Sequence, residues 1–293
     1  PCVANVDGQW VMVVSGHLVE PEGDVGVVAL YIAKNDELTD WVYQGLLYRS
    51  DIAKNIECPN LVRYSDKTLL YYSPCDRPIY HVGEIDLDSA GFTSETGGLL
   101  DWSKCFYAPT GMWDSQKRYV MWGWVMGFED GMGWNGCLSL PRLLTVDGGK
   151  LHQNPVTELE ALRGAHVSFC DVTISDSTVF DCDLSNGVEI GLEIDLADSE
   201  SVDLKVGAVG GIEFCFEIGF TGDMLTVNGT AADIDLLGGS LSLRMFIDQS
   251  VLEVFADGSV CITKVIKRPT EIDRLHISAD GGDANLLRVD IWE

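Results

Sequence analysis

The order of apolar and polar residues predicts β-structure over most of the chain. In the first half, short apolar or alternating runs are separated by turn-forming clusters such as "VDG", "EGD", "KND" and "GMGWNG". The runs are "QWVMVVSG", "VGVVALYIA", "NLVRYSD", "TLLYYS", "IYHVGEI" and "RYVMWGWVMG". Helical periodicity of useful length is nearly absent from residues 1–150. We therefore expect strands joined by tight turns in this half.

A loose repeat runs through the same half. An apolar strand pair followed by an aromatic strand recurs over residues 1–56, 57–104 and 105–150. Radial repetition of small antiparallel sheets is typical of β-propellers, and a single large sandwich is the alternative. The pattern favours about three blades of a propeller within residues 1–150.

The pattern changes after residue 150. Residues 151–163, "LHQNPVTELEALR", predict a linker with a short helix, because Pro155 can start a helix and "TELEALR" favours one. Over residues 164–293 the alternation is strict, as in "GVEIGLEIDL", "GIEFCFEIGF" and "LSLRMFIDQSVLEVFADG". About nine strands with one buried face each predict a β-sandwich. The whole chain is therefore expected to be all-β.

Composition narrows the classes of partner. Among 293 residues, 46 acidic side chains outweigh 19 basic ones, and the net charge is -27. Nucleic acids and anionic membranes need clustered Lys and Arg, so neither is expected as a partner, and a neutral substrate fits better than a polyanion. No apolar run is long enough to span a membrane, and the sequence leaves the localisation open.

Cysteine and histidine spacing gives no sign of a metal site. None of the nine cysteines forms a Cys-x-x-Cys pair, and the five histidines are isolated from one another. We therefore expect mostly reduced thiols, no metal ligands and no cofactor.

One short stretch, "NIECPNL" at residues 55–61, could carry chemistry. Pro59 favours an extended conformation at Cys58, so Glu57 and Cys58 would point to opposite faces of a strand. If Cys58 packs against an apolar layer, Glu57 faces a groove, where apolar and aromatic neighbours would suit a proton donor. On the tripeptide alone, an exposed glutamate at a strand end is the commoner interpretation.

Aromatic residues cluster within residues 106–134, and six of them are candidates for contact with a ligand. The six are Phe106, Tyr107, Trp113, Trp122, Trp124 and Trp134. Aromatic faces stack on sugar rings, and Tyr and Trp can also donate hydrogen bonds. The same side chains would serve equally well as core between blades, and both interpretations stay open at this point.

Four ordered stretches together resemble glycoside hydrolase family 32, the family of invertases, inulinases and levanases. "NIECPNL" is similar to its Glu-Cys-Pro motif, and "GLLDWSKCFYAPTGMWDSQKRYVMWGWVMG" to its Asp-x-x-x-x-Phe-Tyr-Ala segment and Trp-Gly-Trp strand. "GMGWNGCLSLPRLLTVDGGKLHQNPVTELEAL" resembles its exit from the propeller, and "LSLRMFIDQSVLEVFADGSVCIT" its C-terminal sandwich. The resemblance implies a five-bladed β-propeller joined to a β-sandwich. It also implies retaining hydrolysis of β-fructofuranosyl bonds in sucrose or a fructan.

The resemblance assigns roles to individual residues. Glu57 would be the general acid/base, and Asn60 stands where the family usually has Asp after the proline. A missing charge at Asn60 could change the surroundings of Glu57 or of the sugar hydroxyls. The aromatic residues that would border the sugar pocket are Phe106, Tyr107, Trp122 and Trp124.

The chain departs from the family in its missing carboxylates. Nothing matches the Trp-x-Asn-Asp-Pro-Asn motif of the nucleophile, and "PCVANVDGQWVMVV" resembles the sequence that follows the family's Arg-Asp. We therefore expect about two blades and two of three catalytic carboxylates to lie outside these residues, and little activity from this chain alone. Three interpretations remain: the C-terminal part of a fructosidase complemented by an N-terminal segment or chain, a sugar-binding or assembly module, and an inactive degenerate product.

Overall fold

The computed structural model describes residues 1–131, 133–184, 187–207, 214–236, 239–267 and 273–293. In these ranges the chain is folded into β-strands, with one 3₁₀ helix at Thr157–Leu162 and no α-helix, which confirms the all-β prediction. No helix among these residues is long and apolar enough to cross a membrane. The chain divides into two compact units. Unit 1 contains Pro1–Met126 and Gly136–His152, and unit 2 contains Gly127–Asn135 and Gln153–Glu293.

The strands up to residue 155 form three small antiparallel sheets. The first sheet has the order β1 (Cys2–Val6), β2 (Gln9–Leu18), β3 (Val25–Ala33), β4 (Trp41–Arg49). The second has the order β5 (Glu57–Arg63), β6 (Thr68–Ser73), β7 (Ile79–Asp86), β8 (Gly91–Leu99). The third contains β9 (Phe106–Trp113), β10 (Tyr119–Val125), β11 (Cys137–Leu138), β12 (Arg142–Asp147) and β13 (Lys150–Pro155). The sheets begin close to the starts of the three predicted repeats.

Strand β6 of the second sheet is buried on both faces within unit 1. All six residues of β6, "TLLYYS", are buried. Leu70 and Tyr72 belong to the core shared with the first sheet, whereas Leu69 and Tyr71 belong to the core shared with the third. A strand with two buried faces needs a continuous apolar run instead of alternation, which explains the pattern of "TLLYYS".

Unit 2 contains two antiparallel sheets of six strands. The first has the order β14 (His166–Ile174), β25 (Ala284–Trp292), β16 (Val188–Asp195), β21 (Ser240–Asp248), β22 (Val251–Ala256), β23 (Val260–Val265). The second has the order β15 (Ser177–Asp181), β24 (Arg274–Asp280), β17 (Ser201–Gly207), β18 (Phe214–Thr221), β19 (Met224–Val227), β20 (Thr230–Asp233).

Both sheets of unit 2 bury alternate side chains. Ile190, Leu192 and Ile194 are buried along β16, as their spacing predicts. The rings of Phe169 in β14 and Phe180 in β15 lie 4.7 Å apart and join the two layers. Alternate burial in each sheet indicates one common core between them.

The segment between the sheets differs from the predicted linker at 151–163. Its first part is β13, which continues to Pro155. Pro155 therefore ends a strand and does not start a helix, and only Thr157–Leu162 forms a helix, of the 3₁₀ type.

Candidate active site

Glu57 is the first residue of β5 and lies at an irregular point of the strand. The pairing of β5 with β6 shifts register between Glu57 and Asn60, which marks a β-bulge. Cys58 within the bulge is exposed and has φ +48°, in the left-handed region. The prediction of an extended conformation at Cys58 is therefore wrong, and the condition that Cys58 packs against an apolar layer is not met, because the bulge breaks the alternation of side chains. Glu57 itself is half-buried.

The first strand of the third sheet has the same local structure. Tyr107 is followed by Ala108 at φ +46° and then by Pro109, just as Glu57 is followed by Cys58 and Pro59. The pairing of β9 with β10 is also irregular here, between Trp122 and Trp124. The two bulges present Glu57 and Tyr107 to each other, and the Tyr107 hydroxyl donates to Glu57 Oε2 at 2.6 Å.

Asn60 links the two bulged strands. Its Nδ2 donates to the carbonyl oxygens of Cys58 (2.9 Å) and Pro109 (3.1 Å), while Oδ1 accepts from Thr110 Oγ1 at 3.4 Å. The side chain is only 5% exposed. Asn60 is thus occupied as a brace between β5 and β9 and does not face a sugar, in contrast to its expected place in the substrate pocket.

Two further residues contact Glu57 or Tyr107. The Nδ2 of Asn55 donates to Glu57 Oε1 at 3.2 Å and lies 3.7 Å from Cys75 Sγ. The pKa of the Tyr107 hydroxyl is raised by burial, by its hydrogen bond to Glu57 and by the neighbouring Cys75. The phenol therefore stays protonated and remains a hydrogen-bond donor throughout the neutral range.

Asn55 and Cys75 were not predicted from the sequence to lie at the site. Asn55 lies two residues before Glu57, and in an extended segment residues i and i+2 share a face, so this signal was present. Cys75 follows β6 in a turn at φ +62° and is brought to the site only by the pairing of Glu57 with Ser73.

Phe106 belongs to the core and not to the sugar pocket. Its side chain has no exposed surface, and the Arg142 guanidinium lies 4.1 Å above its ring. Gly123 packs so closely against the ring that a Cβ at that position would overlap it. Phe106 therefore has no exposed surface with which to border a sugar, contrary to the expectation from the resemblance.

The remaining aromatic candidates fall into two groups. Trp124 of β10 pairs with Tyr107 of β9 and is 39% exposed. Trp122 of β10 is half-buried and pairs with Thr110 of β9. Trp113 lies at the other end of β9, and Trp134 packs on Phe128 in unit 2. Only Trp122 and Trp124 thus remain beside Tyr107 as candidates for a sugar platform.

A buried ion pair supports the segment that leads to Tyr107. Arg142 donates to Asp101 Oδ2 at 3.0 Å, with side chains 1% and 0% exposed, and Asp101 Oδ1 accepts from the Ser103 amide. Asp101 begins the Asp-x-x-x-x-Phe-Tyr-Ala segment, so its carboxylate fixes the start of β9 from within the protein.

In the described ranges, the Glu57 carboxyl group has hydrogen bonds to Asn55 and Tyr107, neither of which is a carboxylate. In the same ranges, no three His, Cys, Asp or Glu side chains are grouped to hold a metal ion. The site is therefore one carboxyl group held by two neutral donors beside partly exposed tryptophans.

Family models match both parts of the chain. Residues 1–155 match the glycosyl hydrolases family 32 N-terminal domain, and residues 158–293 match the family 32 C-terminal domain. The chain belongs to glycosyl hydrolases family 32. Because the N-terminal domain model covers residues 1–155, the expected loss of two N-terminal blades is not confirmed by this match.

Two curated relatives come from Escherichia coli. Sucrose-6-phosphate hydrolase is 29% identical over 318 residues, covering 97% of this family 32 chain and 64% of that protein. Raffinose invertase is 26% identical, covering 100% of this chain and 66% of that protein. The chain thus spans slightly less than two thirds of the length of either relative.

Solved structures show the same fold. Fructan 1-exohydrolase IIa from Cichorium intybus superposes with a TM-score of 0.83 at 20% identity, over 98% of this chain and 69% of that one. The β-fructofuranosidase of Bombyx mori gives 0.78 at 21% identity, over 99% and 64%. These neighbours combine a β-propeller with a β-sandwich.

Proposed function

We propose that this chain carries the acid/base site of a β-fructofuranosidase that hydrolyses sucrose or a fructan with retention of configuration. The observation that carries the proposal is the Glu57 carboxyl group, held by Tyr107 and Asn55 in a partly open site. Support comes from family membership and from relatives that are hydrolases of sucrose derivatives. The Bombyx mori enzyme has been solved in complex with sucrose and the Cichorium intybus enzyme with 1-kestose.

The hydrogen bonds support one oxygen of Glu57 as the proton donor. The Asn55 amide nitrogen donates to Oε1, and we propose that the acidic proton is carried by the other oxygen, Oε2. The Tyr107 hydroxyl can both donate and accept. When Glu57 gives its proton to the leaving oxygen of the substrate, Tyr107 donates to the new carboxylate. In the second step the same carboxylate takes a proton from water.

The sugar ring is proposed to lie against Trp124, Trp122 and the Tyr107 ring. Trp124 is 39% exposed and is paired in the sheet with Tyr107, the residue that contacts Glu57, which supports an indole on this side of the site. A ring stacked there presents its glycosidic oxygen towards Glu57, and stacking on aromatic faces suits a neutral sugar.

Retention also needs a nucleophilic carboxylate about 5 Å from the acid/base. No stretch of residues 1–293 matches the family's Trp-x-Asn-Asp-Pro-Asn motif, which carries that nucleophile. We therefore propose that the nucleophile comes from an N-terminal segment or chain other than residues 1–293, and that these residues by themselves turn over little substrate.

The variant Glu57→Gln tests the role of Glu57. In the native protein, release of fructose from sucrose, inulin or levan should fall by about 10²- to 10⁴-fold, the usual contribution of a general acid/base. Glu22→Gln, at an exposed position of unit 1, is the matched control and should retain full turnover. Unchanged turnover in Glu57→Gln would remove Glu57 from the mechanism.

A non-catalytic fructan-binding or assembly module is the second candidate. It is favoured by the lack of a match to the family's nucleophile motif within residues 1–293. Titration calorimetry of the native protein with fructans separates the two candidates. Binding heat without release of fructose supports the module, whereas release of fructose that depends on Glu57 supports the hydrolase.

A further inference from the structure

A second groove lies in unit 1, at the end of β5 and β9 away from Glu57. It has a volume of about 390 Å³. Its walls include the side chains of Arg63, Tyr64, Trp113, Lys117, Arg118 and Tyr119. Glu57 and Arg63 are the two ends of β5, so a rise of about 3.3 Å per residue places the groove roughly 20 Å from the acid/base.

Trp113 is held in a fixed position on the wall of this groove. Its ring meets Tyr64 (5.6 Å between centroids) and Tyr119 (5.4 Å), both edge to face. Each tyrosine is itself anchored, because Tyr64 donates to the Leu144 carbonyl oxygen and Tyr119 is hydrogen-bonded to Tyr71, both at 2.9 Å. Trp113 nevertheless remains 44% exposed. An exposed indole that is already ordered loses little entropy when a flat ligand stacks on it.

Three cationic side chains surround Trp113, and one of them has no ion-pair partner among the described residues. Arg63 is paired with Asp7 at 3.0 Å and Arg118 with Asp114 at 2.7 Å. Lys117, exposed at φ +64°, has no ion pair among the described residues. The groove thus combines an aromatic face with one free ammonium donor and two neutralised arginines. This set suits hydroxyl groups on a ring better than it suits a multiply charged ligand.

We propose that this groove is a second carbohydrate-binding site, in which a neutral sugar ring stacks on Trp113 and its hydroxyls accept hydrogen bonds from Lys117. The site is separate from Glu57 and performs no chemistry. It would hold one part of a long saccharide while another part lies elsewhere on the protein. Only the choice of fructan as that saccharide rests on the proposed function.

Affinity electrophoresis of the native protein through gels that contain inulin or levan tests the proposal. Trp113→Ala should weaken retardation about tenfold, equivalent to about 1.4 kcal/mol. Lys117→Gln should weaken it in the same direction, and Trp113→Phe should restore most of it. Hydrolysis of sucrose should keep its wild-type kcat/KM in all three variants, because the small substrate does not reach the groove.

Trp10→Ala is the matched control, since Trp10 is 39% exposed in the same unit and outside the groove. Wild-type retardation of Trp113→Ala, or an equal loss in Trp10→Ala, would overturn the proposal. Loss of retardation in excess inorganic phosphate would also overturn it, since the ligand would then be an anion. Retardation that depends on Trp113 in a protein without fructose release would support this site while refuting the proposed hydrolase.

Discussion

At the scale of single residues, the chemistry proposed for Glu57 depends on neighbours that occupy both oxygens of its carboxyl group. Tyr107 accompanies Glu57 in the family motifs, so the sequence predicted both residues. Asn55 and Cys75 belong to no motif, and Asn60 was expected at the substrate. Linear motifs name the reacting groups, whereas the side chains that orient them are set by the pairing of strands.

We expect Asn55→Ala to lower kcat for release of fructose about tenfold with little change in KM. The Asn55 amide fixes Glu57 Oε1 at 3.2 Å, and loss of that hydrogen bond leaves the acid misoriented in the transition state without removing a substrate contact. Steady-state kinetics of the native protein measure both constants. The exposed Asn154→Ala serves as the control. A rise in KM at constant kcat would instead make Asn55 a substrate ligand.

At the scale of secondary-structure elements, hydrophobic patterning predicted regular strands better than irregular ones. The predicted burial of alternate residues in β16 was confirmed, because one face of this strand lies in a core. The bulges at Glu57 and Tyr107 were not foreseen, since Cys58 and Ala108 are not residues that usually adopt positive φ. A local pattern assumes regular alternation, and a bulge adds a residue to one strand that interrupts this alternation.

The close packing of Gly123 in β10 against the Phe106 ring can be tested by substitution. Gly123→Ala would place a Cβ inside the Phe106 ring, so Phe106 must shift together with the adjoining Tyr107. We expect a loss of about 2 kcal/mol in the free energy of unfolding, together with reduced turnover. Chemical denaturation and fructose-release assays measure the two effects. Gly16→Ala, where the nearest atom lies at 3.7 Å, should change neither, and a fully stable Gly123→Ala would contradict the packing described here.

A second test concerns the buried carboxylate of Glu189 on β16. It accepts from Arg163, just after the 3₁₀ helix, at 2.8 Å, and from Arg244 on β21 at 2.6 Å. Burial raises its pKa, but the hydrogen bonds and charges of the two arginines outweigh burial and leave the pKa below its usual value. A lowered folded-state pKa means that this stabilisation is complete above the unfolded value of about 4.3 and is lost as pH falls through the folded value.

The unfolding midpoint of the protein should therefore decrease as the pH falls below about 4.3, with a smaller decrease in Glu189→Gln. At neutral pH that variant should lose about 2 kcal/mol, because two arginines lose a charged acceptor. Thermal unfolding over a pH series measures both effects. Glu193→Gln, at an exposed position four residues along β16, is the matched control. Identical pH profiles for Glu189→Gln and the native protein would show that the ion pairs of Glu189 with Arg163 and Arg244 do not stabilise the fold.

At the scale of the whole molecule, the hydrophobic pattern predicted the all-β fold class, and the family resemblance implied how the strands are grouped. Runs such as "GVEIGLEIDL" showed that residues 164–293 form strands with one buried face. They did not show how strands far apart in sequence pair, as β14 does with β25. Pairings of this kind depend on contacts across more than a hundred residues, which local patterns do not encode.

The net charge of -27 should make stability depend on salt. Repulsion among excess carboxylates acts over a Debye length of about 30 Å at 0.01 M salt and about 3 Å at 1 M. We therefore expect the thermal midpoint to rise by several degrees as sodium chloride is increased across that range, even though individual surface ion pairs weaken. Differential scanning calorimetry with glycerol as the uncharged control measures the shift. A midpoint that stays constant or falls would show that repulsion is not significant.

The double burial of β6 restricts how this sequence can drift over time. Leu69 and Tyr71 fit one core and Leu70 and Tyr72 fit the other, so neighbouring positions are under separate steric demands. A substitution that improves one core gives no relief to the next residue, and a shift of one residue in register would exchange both sets of side chains at once. Changes in β6 are therefore expected to be fixed only together with compensating changes in the facing sheet, while exposed turns such as residues 21–24 vary independently.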